Sequence, residues 1–148
     1  MPYALIADKL GPLLTKQSVA DAKGLTAIAR IVAHATHSQE PAKFTSAPVP
    51  AIRKVMEKAG WSVADVDLFE INEAFAMVPM IAMKELGIPA EKLNVNGGGT
   101  ALGHPIGASG ARIIATLIAA LQNRGLKRGI ASLCIGGGEG TAMAIELV

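Results

Sequence analysis

The stretch from Asn94 to Ala120, NVNGGGTALGHPIGASGARIIATLIAA, constrains the fold of this chain more than any other. A strand-like apolar piece (Leu93, Val95) breaks on Gly97-Gly98-Gly99. His104 follows on a Gly-His-Pro turn, and a long apolar helix resumes from about Ala108. Consecutive glycines mean that the backbone visits positive φ or passes close to something bulky. Pro105 fixes the φ that follows His104 and biases the histidine itself away from helix. The spacing therefore predicts a histidine on a loop held still by two elements, a setting that suits a catalytic side chain or the cap of a tight turn.

Composition narrows the class. The chain has 148 residues, 51% of them hydrophobic and 18% charged, which is one domain's worth of material with ample core-forming side chains. A net charge of +2 with acids and bases interspersed leaves no basic stripe, so nucleic acid is not an expected partner. No uninterrupted apolar run reaches membrane-spanning length, and no membrane partner is expected. The opening MPYALIADKLGPLL lacks the basic n-region and long apolar core of a secretory signal, which makes a cytoplasmic setting the expectation. A single cysteine, Cys134, excludes an intrachain disulfide and a multi-cysteine zinc site, leaving a buried or a reactive thiol. No metal and no resident cofactor are expected.

In chain order, Ala4 to Ile6 read as a strand, and Leu10, Leu13 and Leu14 as a short helix broken near Gly11-Pro12. Ser18 to Lys23 is the tail of a helix stopped by Gly24. Leu25 to Thr36 fits either period and is taken as a strand. Pro41, Pro48 and Pro50 mark a long connection from Ser38, after which Pro50 opens the helix Ala51 to Ala59. Ser62 and Asp65 have capping-box spacing for a single turn, and Val66 to Ile71 is a short buried strand. Asn72 is then expected to cap a helix from Glu73 to Leu86, with Glu73 complementing the helix dipole. Gly129 to Ile135 and Thr141 to Val148 are the last strands. The order implies an α/β fold: a mixed sheet, helices on both faces and a final antiparallel hairpin.

Asn72, His104 and Cys134 each fall at or just beyond the C-terminal end of a predicted strand, where open α/β sheets gather their sites. Gly136-Gly137-Gly138 directly after the thiol would let a substrate approach and would offer backbone N–H donors to an oxyanion. His34 and His37 have no such surroundings and are read as structural. There is no GxxxxGK[ST], and the spacing Gly103, Gly107, Gly110 is not a dinucleotide fingerprint.

Three motifs carry a family resemblance: Asn72-Glu73-Ala74-Phe75-Ala76, GGGTALGHPIGASGAR at 97 to 112, and Cys134-Ile135-Gly136-Gly137-Gly138. In this order they resemble the C-terminal signatures of the thiolases, acetyl-CoA acetyltransferases in particular, from about Gly24 to Val148. The resemblance implies a thiolase-like fold built of two similar α/β halves, of which residues 24–148 look like the C-terminal domain; residues 1–23 are poorly matched. It implies acyl-CoA as substrate, in thiolytic cleavage of 3-ketoacyl-CoA or Claisen condensation of acetyl-CoA. It further implies that His104 activates the acyl-accepting cysteine and, with a water held by Asn72, forms an oxyanion hole. Cys134 corresponds to the acid/base that moves the α-proton, and the Gly136 N–H to part of the second oxyanion hole. Phe75 corresponds to a residue lining the pantetheine side of the site, and Phe44 falls in a loop that contacts the acyl group.

Two departures accompany the resemblance. The family usually reads Gly-Gly-Ala-Ile before its ALGHP, where this chain has Gly98-Gly99-Thr100-Ala101, shifted in size. More important, thiolases carry the covalent nucleophile on a cysteine of the N-terminal half, and the one cysteine here already matches the acid/base. An N-terminal thiolase half is therefore an expected partner, and an apolar face left by its absence makes a homo-oligomer an expectation. A truncated gene product, one subunit of a split enzyme and a catalytically inactive assembly or binding module remain the alternatives.

Overall fold

The computed structural model describes residues 3–8 and 11–148. Its order is β1 (Tyr3–Asp8), β2 (Gly11–Lys16), α1 (Gln17–Ala22), β3 (Ala29–Ser38), a 3-10 turn (Pro41–Ser46), α2 (Pro48–Ala59), β4 (Leu68–Ile71), α3 (Met77–Leu86), α4 (Gly99–Leu102), α5 (Ile106–Arg124), β5 (Arg128–Ile135) and β6 (Glu139–Leu147). One six-stranded mixed sheet runs in the order β2-β1-β3-β6-β5-β4. Among the described strands only β4 and β5 pair parallel; β5 turns antiparallel into β6, as the sequence predicts.

Strand alternation places the core on both faces of this sheet. On one face Phe69, Ile71, Ile130, Cys134, Ala142 and Ala144 pack under α2 (Ile52, Val55, Met56) and α3 (Val78, Ala82). On the other, Leu68, Ala131 and Ile145 meet Ile113, Leu117, Ile118 and Leu121 of α5. Phe69 and Ile52 are buried completely or nearly so, and burial of such a side chain stabilises the fold by about 1.5–3 kcal/mol. The small alanines of β6 let α2 lie directly on the sheet. The approach is so close that a Cβ on Gly140 would overlap the Ala47 carbonyl at the start of α2.

Three expectations need correction. The stretch Leu13–Leu14 is a strand: Gly11-Pro12 begins β2, which pairs antiparallel with β1 (Leu5 opposite Leu14), and ladder pairing overrides the apolar spacing read as a helix. Leu10, read with them, lies outside the described residues. The helix expected from Glu73 starts at Met77. A start at Glu73 would put Pro79 in the helix interior, where its ring meets the carbonyl four residues back; starting at Met77 leaves Pro79 in the first turn, where no N–H is needed. The helix after the three-proline connection begins at Pro48 instead of Ala51. Two elements lie close to expectation: β3 starts at Ala29, and the Ser62/Asp65 box caps a 3-10 turn at Val63–Asp65.

Candidate active site

β4 ends against β5 with Ile71 opposite Ser132, and the Asn72 N–H donates to the Ser132 carbonyl at 2.9 Å. That bond extends the ladder by one residue and fixes the backbone of Asn72. Alternation along β4 then turns Glu70 and Asn72 toward α5, where Arg112 reaches both: Nη1 donates to Glu70 Oε1 at 2.7 Å and Nη2 to Asn72 Oδ1 at 3.0 Å. Asn72 is fully buried and Glu70 is 2% exposed. Because its side chain is engaged this way, Asn72 caps no helix.

The loop before α5 brings His104 to the same place. Asn72 Nδ2 lies 3.3 Å from His104 Nδ1 and 3.5 Å from Nε2, and Ser109 Oγ is 2.6 Å from Nδ1. Pro105 caps α5 in an extended conformation, so the helix starts at Ile106 and carries Ser109 and Arg112 on one face, three residues apart. One helix thereby holds the histidine ring from one side and the asparagine amide from the other. His104 itself is half-buried.

The glycine run before His104 has its own restraint. Glu73 Oε2 accepts from the Thr100 N–H at 3.0 Å, and Glu73 Oε1 accepts from Asn94 Nδ2 at 2.9 Å. Asn94 in turn brackets the end of β4, accepting from the Ile71 N–H at 2.8 Å and donating to the Ile71 carbonyl at 2.9 Å. A Cβ on Gly98 would collide with the Glu73 carboxyl, and one on Gly99 would lie 2.9 Å from the Glu73 carbonyl. Close approach, as the sequence implies, is what these glycines permit. Glu73 is thus a latch on the His104 loop, not a helix-dipole acid.

Cys134 lies near the end of β5, 6% exposed, with its side chain in the cluster under α2 and α3. No hydrogen bond joins it to His104 among the described residues. The structure joins Asn72 and His104 directly and leaves Cys134 on the next strand, turned to the other layer. Gly136 follows in the exposed turn between β5 and β6, with open space where a Cβ would be and, among the described residues, no acceptor for its N–H. Gly138 in the same turn packs against the Gln39 carbonyl and Pro41, which anchors the 3-10 turn carrying Phe44. Phe44 meets Phe75 edge-on at 6.1 Å between centroids, and Phe75 is 57% exposed. The residues singled out as substrate-lining thus touch each other beside the glycine turn.

Electrostatics separates the acids. Burial, only partly offset by Arg112, pushes the Glu70 carboxyl up to about 7. Burial also opposes the charge on Glu73, but hydrogen bonds from Asn94 and Thr100 outweigh it and hold that carboxyl below its usual range. Burial raises the Cys134 thiol above its ordinary value. The other histidines lie elsewhere, His34 against Thr141 Oγ1 at 2.8 Å and His37 against Lys54 at 3.2 Å. Among the described residues no cluster of His, Cys, Asp and Glu could hold a metal ion, and no helix is long and apolar enough to cross a membrane.

Sequence reasoning missed Glu70, Arg112, Ser109 and Asn94. The signals were present: an acid, Glu70, between Phe69 and Ile71 of an apolar strand, and a serine and an arginine three residues apart in the first half of α5.

An asparagine–histidine pair thus meets at the end of β4 on the α5 side, with a buried thiol on the next strand facing the other layer and an exposed glycine turn beyond it. Residues 25–147 match the family described as thiolase, C-terminal domain, and the chain belongs to that family. It is 52% identical over 134 residues to the acetyl-CoA acetyltransferase of Escherichia coli K12, and 51% to the cytosolic acetyl-CoA acetyltransferase of Mus musculus. Each alignment covers 90% of this chain and 34% of the relative. The crystal structure of the Bacillus anthracis acetyl-CoA acetyltransferase superposes with a TM-score of 0.88 at 51% identity, covering 91% of this chain and 34% of that one. The chain therefore spans about a third of the length of these relatives, and it has their mixed α/β architecture.

Proposed function

We propose that this chain supplies the acid/base half of a thiolase-type acyltransferase site acting on acyl-CoA thioesters, and that an N-terminal thiolase half supplies the nucleophilic cysteine. The contact between Asn72 and His104 at the end of β4, braced by Ser109 and Arg112, carries this reading. A donor pair fixed before substrate arrives stabilises developing negative charge without reorganising in the transition state.

In this mechanism His104 accepts the proton of the partner half's thiol, and the thiolate attacks the keto carbon of a 3-ketoacyl thioester. The carbon–carbon bond then breaks, the acyl group stays on the nucleophile, and the released thioester enolate takes its proton from the Cys134 thiol. The Gly136 N–H supports the enolate oxygen. A thiol whose burial keeps it protonated at rest suits this donation. Incoming coenzyme A thiol gives its proton to the Cys134 thiolate and takes the acyl group as a new thioester, and the released nucleophile recovers its proton from His104. Condensation runs the same steps in reverse. Phe75 and Phe44 give the pantetheine and acyl parts an apolar surface. The assembled site is cytoplasmic, and the chain pairs with the N-terminal half or with a second copy of itself.

The test is reconstitution. This chain, mixed with a separately expressed N-terminal thiolase half, is expected to restore thiolysis of acetoacetyl-CoA by coenzyme A. His104→Ala and Cys134→Ala should each abolish what is restored, whereas His34→Ala should not. Undiminished thiolysis by the mixture carrying His104→Ala would overturn the assignment.

A further inference from the structure

Asn94 is, among the described residues, the one non-glycine residue with a positive φ, 46°. A side chain in that region costs backbone strain that glycine avoids, and asparagine is among the few residues that tolerate it. Three residues on, Gly97 takes a φ of 80° with nothing within 4 Å of the place a Cβ would occupy, so glycine serves in this loop where only the backbone matters. The strain at Asn94 is offset by what its carboxamide holds.

That carboxamide is fully engaged. Oδ1 accepts from the Ile71 N–H at 2.8 Å, and Nδ2 donates to the Ile71 carbonyl at 2.9 Å and to Glu73 Oε1 at 2.9 Å. The orientation is fixed, because the Ile71 N–H can only donate and the other two groups accept. β4 is the last strand in the sheet order, so at Ile71 the carboxamide takes the place of a neighbouring strand. Ile71 and Glu73 are the two chain neighbours of Asn72, and Asn94 therefore clamps the chain on both sides of it. The clamp continues into the loop that carries His104, since Glu73 Oε2 accepts from the Thr100 N–H at 3.0 Å. Backbone bonds tie the same residue to both parts: the Asn94 N–H donates to the Phe69 carbonyl at 2.9 Å, and the Asn94 carbonyl accepts from the Gly97 N–H at 2.8 Å. At 3.3 Å the contact of Asn72 Nδ2 with His104 Nδ1 is at the long end for a hydrogen bond, so a shift of a few tenths of an ångström makes or breaks it.

We propose that Asn94 is a positioning residue: by clamping Ile71 and Glu73 on either side of Asn72, its carboxamide sets the placement of Asn72 against the His104 loop. The catalytic meaning of this clamp rests on the acyltransferase reading, whereas its structural content does not. Asn94 touches no substrate; it acts through Asn72 and Glu73.

The test separates the side chain from the backbone. Asn94→Gly keeps the left-handed turn, with less strain, and removes the carboxamide. The Ile71 N–H loses its acceptor by construction, so the informative amide is Thr100, which is bonded to Glu73 and not to Asn94. In the full chain carrying Asn94→Gly, Thr100 should exchange its amide hydrogen at least roughly 10-fold faster while the amides of β5 and β6 keep their protection. The ring signals of His104 should move, with those of His34 and His37, the other two histidines, unchanged. Asn94→Asp also tolerates the backbone but sets an oxygen against the Ile71 carbonyl and Glu73, and should displace both signals further. Wild-type Thr100 exchange and His104 signals in either folded variant would overturn the proposal and reduce Asn94 to a turn residue. In the reconstituted mixture Asn94→Gly should lose roughly 10- to 100-fold in kcat with KM within about twofold, as a small misplacement of reacting groups does. Wild-type kcat in that mixture would likewise overturn it. Displaced Thr100 and His104 signals, with the wild-type chain itself inactive in every mixture, would leave the clamp standing and sink the acyltransferase reading instead.

Discussion

Replacing Glu70 by glutamine should change the pH dependence of stability in a direction opposite to that of most acid substitutions. Glu70 is 2% exposed, and burial, partly offset by Arg112, raises its carboxyl from 4.5 to about 7. Because the folded value exceeds the unfolded one, the folded state holds more protons between these limits, and stability falls as pH rises through the window. Two-state linkage with these two values gives a loss of about 2–3 kcal/mol between pH 5 and pH 8. The carboxyls held below their usual range, Glu73, Glu146 and Asp65, act below this window, and the raised Cys134 thiol acts above it. The difference between the wild type and a Glu70→Gln variant between pH 5 and 8 therefore isolates Glu70. Glutamine removes the titration while keeping an oxygen for Arg112. Urea unfolding of both proteins across this range should give a stability gap that opens in favour of Glu70→Gln by about 2–3 kcal/mol as pH rises, with m-values unchanged. Parallel stability curves, or a gap that closes with rising pH, would refute the argument that Glu70 is buried at a cost to its charged form.

Other substitutions test the rest of the structure. Gly98→Ala would drive a methyl into the Glu73 carboxyl and break the latch on Thr100 and Asn94, each hydrogen bond to a charged group contributing about 1.5–3 kcal/mol; hydrogen exchange should show the His104 loop opening while the sheet core keeps its protection. Ile52→Ala, at a fully buried α2 position on the sheet, should cost about 2–5 kcal/mol, read as a lower urea midpoint. Phe75→Ala, on a ring more than half exposed, should cost under about 1.5 kcal/mol of stability yet raise KM for the thioester in the reconstituted mixture.

Much of the fold is legible because its cues are local. Gly60 and Gly125 end helices, the Ser62/Asp65 box closes its turn, and the apolar runs of β4, β5 and β6 find the sheet. The errors arise where distant partners decide. Leu13 and Leu14 carry no period of their own, and only pairing with β1 makes them a strand. Asn72 and Glu73 look like a helix start, yet Arg112, forty residues on, and Thr100, twenty-seven on, take their side chains away. The site shows the same division. Asn72 and His104, which the structure brings together, stand out in the sequence near strand ends, but the residues that brace them do not. Glu70, Ser109 and Arg112 become meaningful only once α5 is laid across the end of β4.

In the proposed mechanism Cys134 moves protons and the acyl group is carried elsewhere. Intact-mass measurement after brief incubation with acetyl-CoA tests it most directly. This chain alone should show no acetyl adduct. Mixed with an N-terminal thiolase half, it should remain unmodified while the partner gains one acetyl group, and His104→Ala should prevent that gain. An acetyl group on Cys134, found with the chain alone or in the mixture, would contradict the claim.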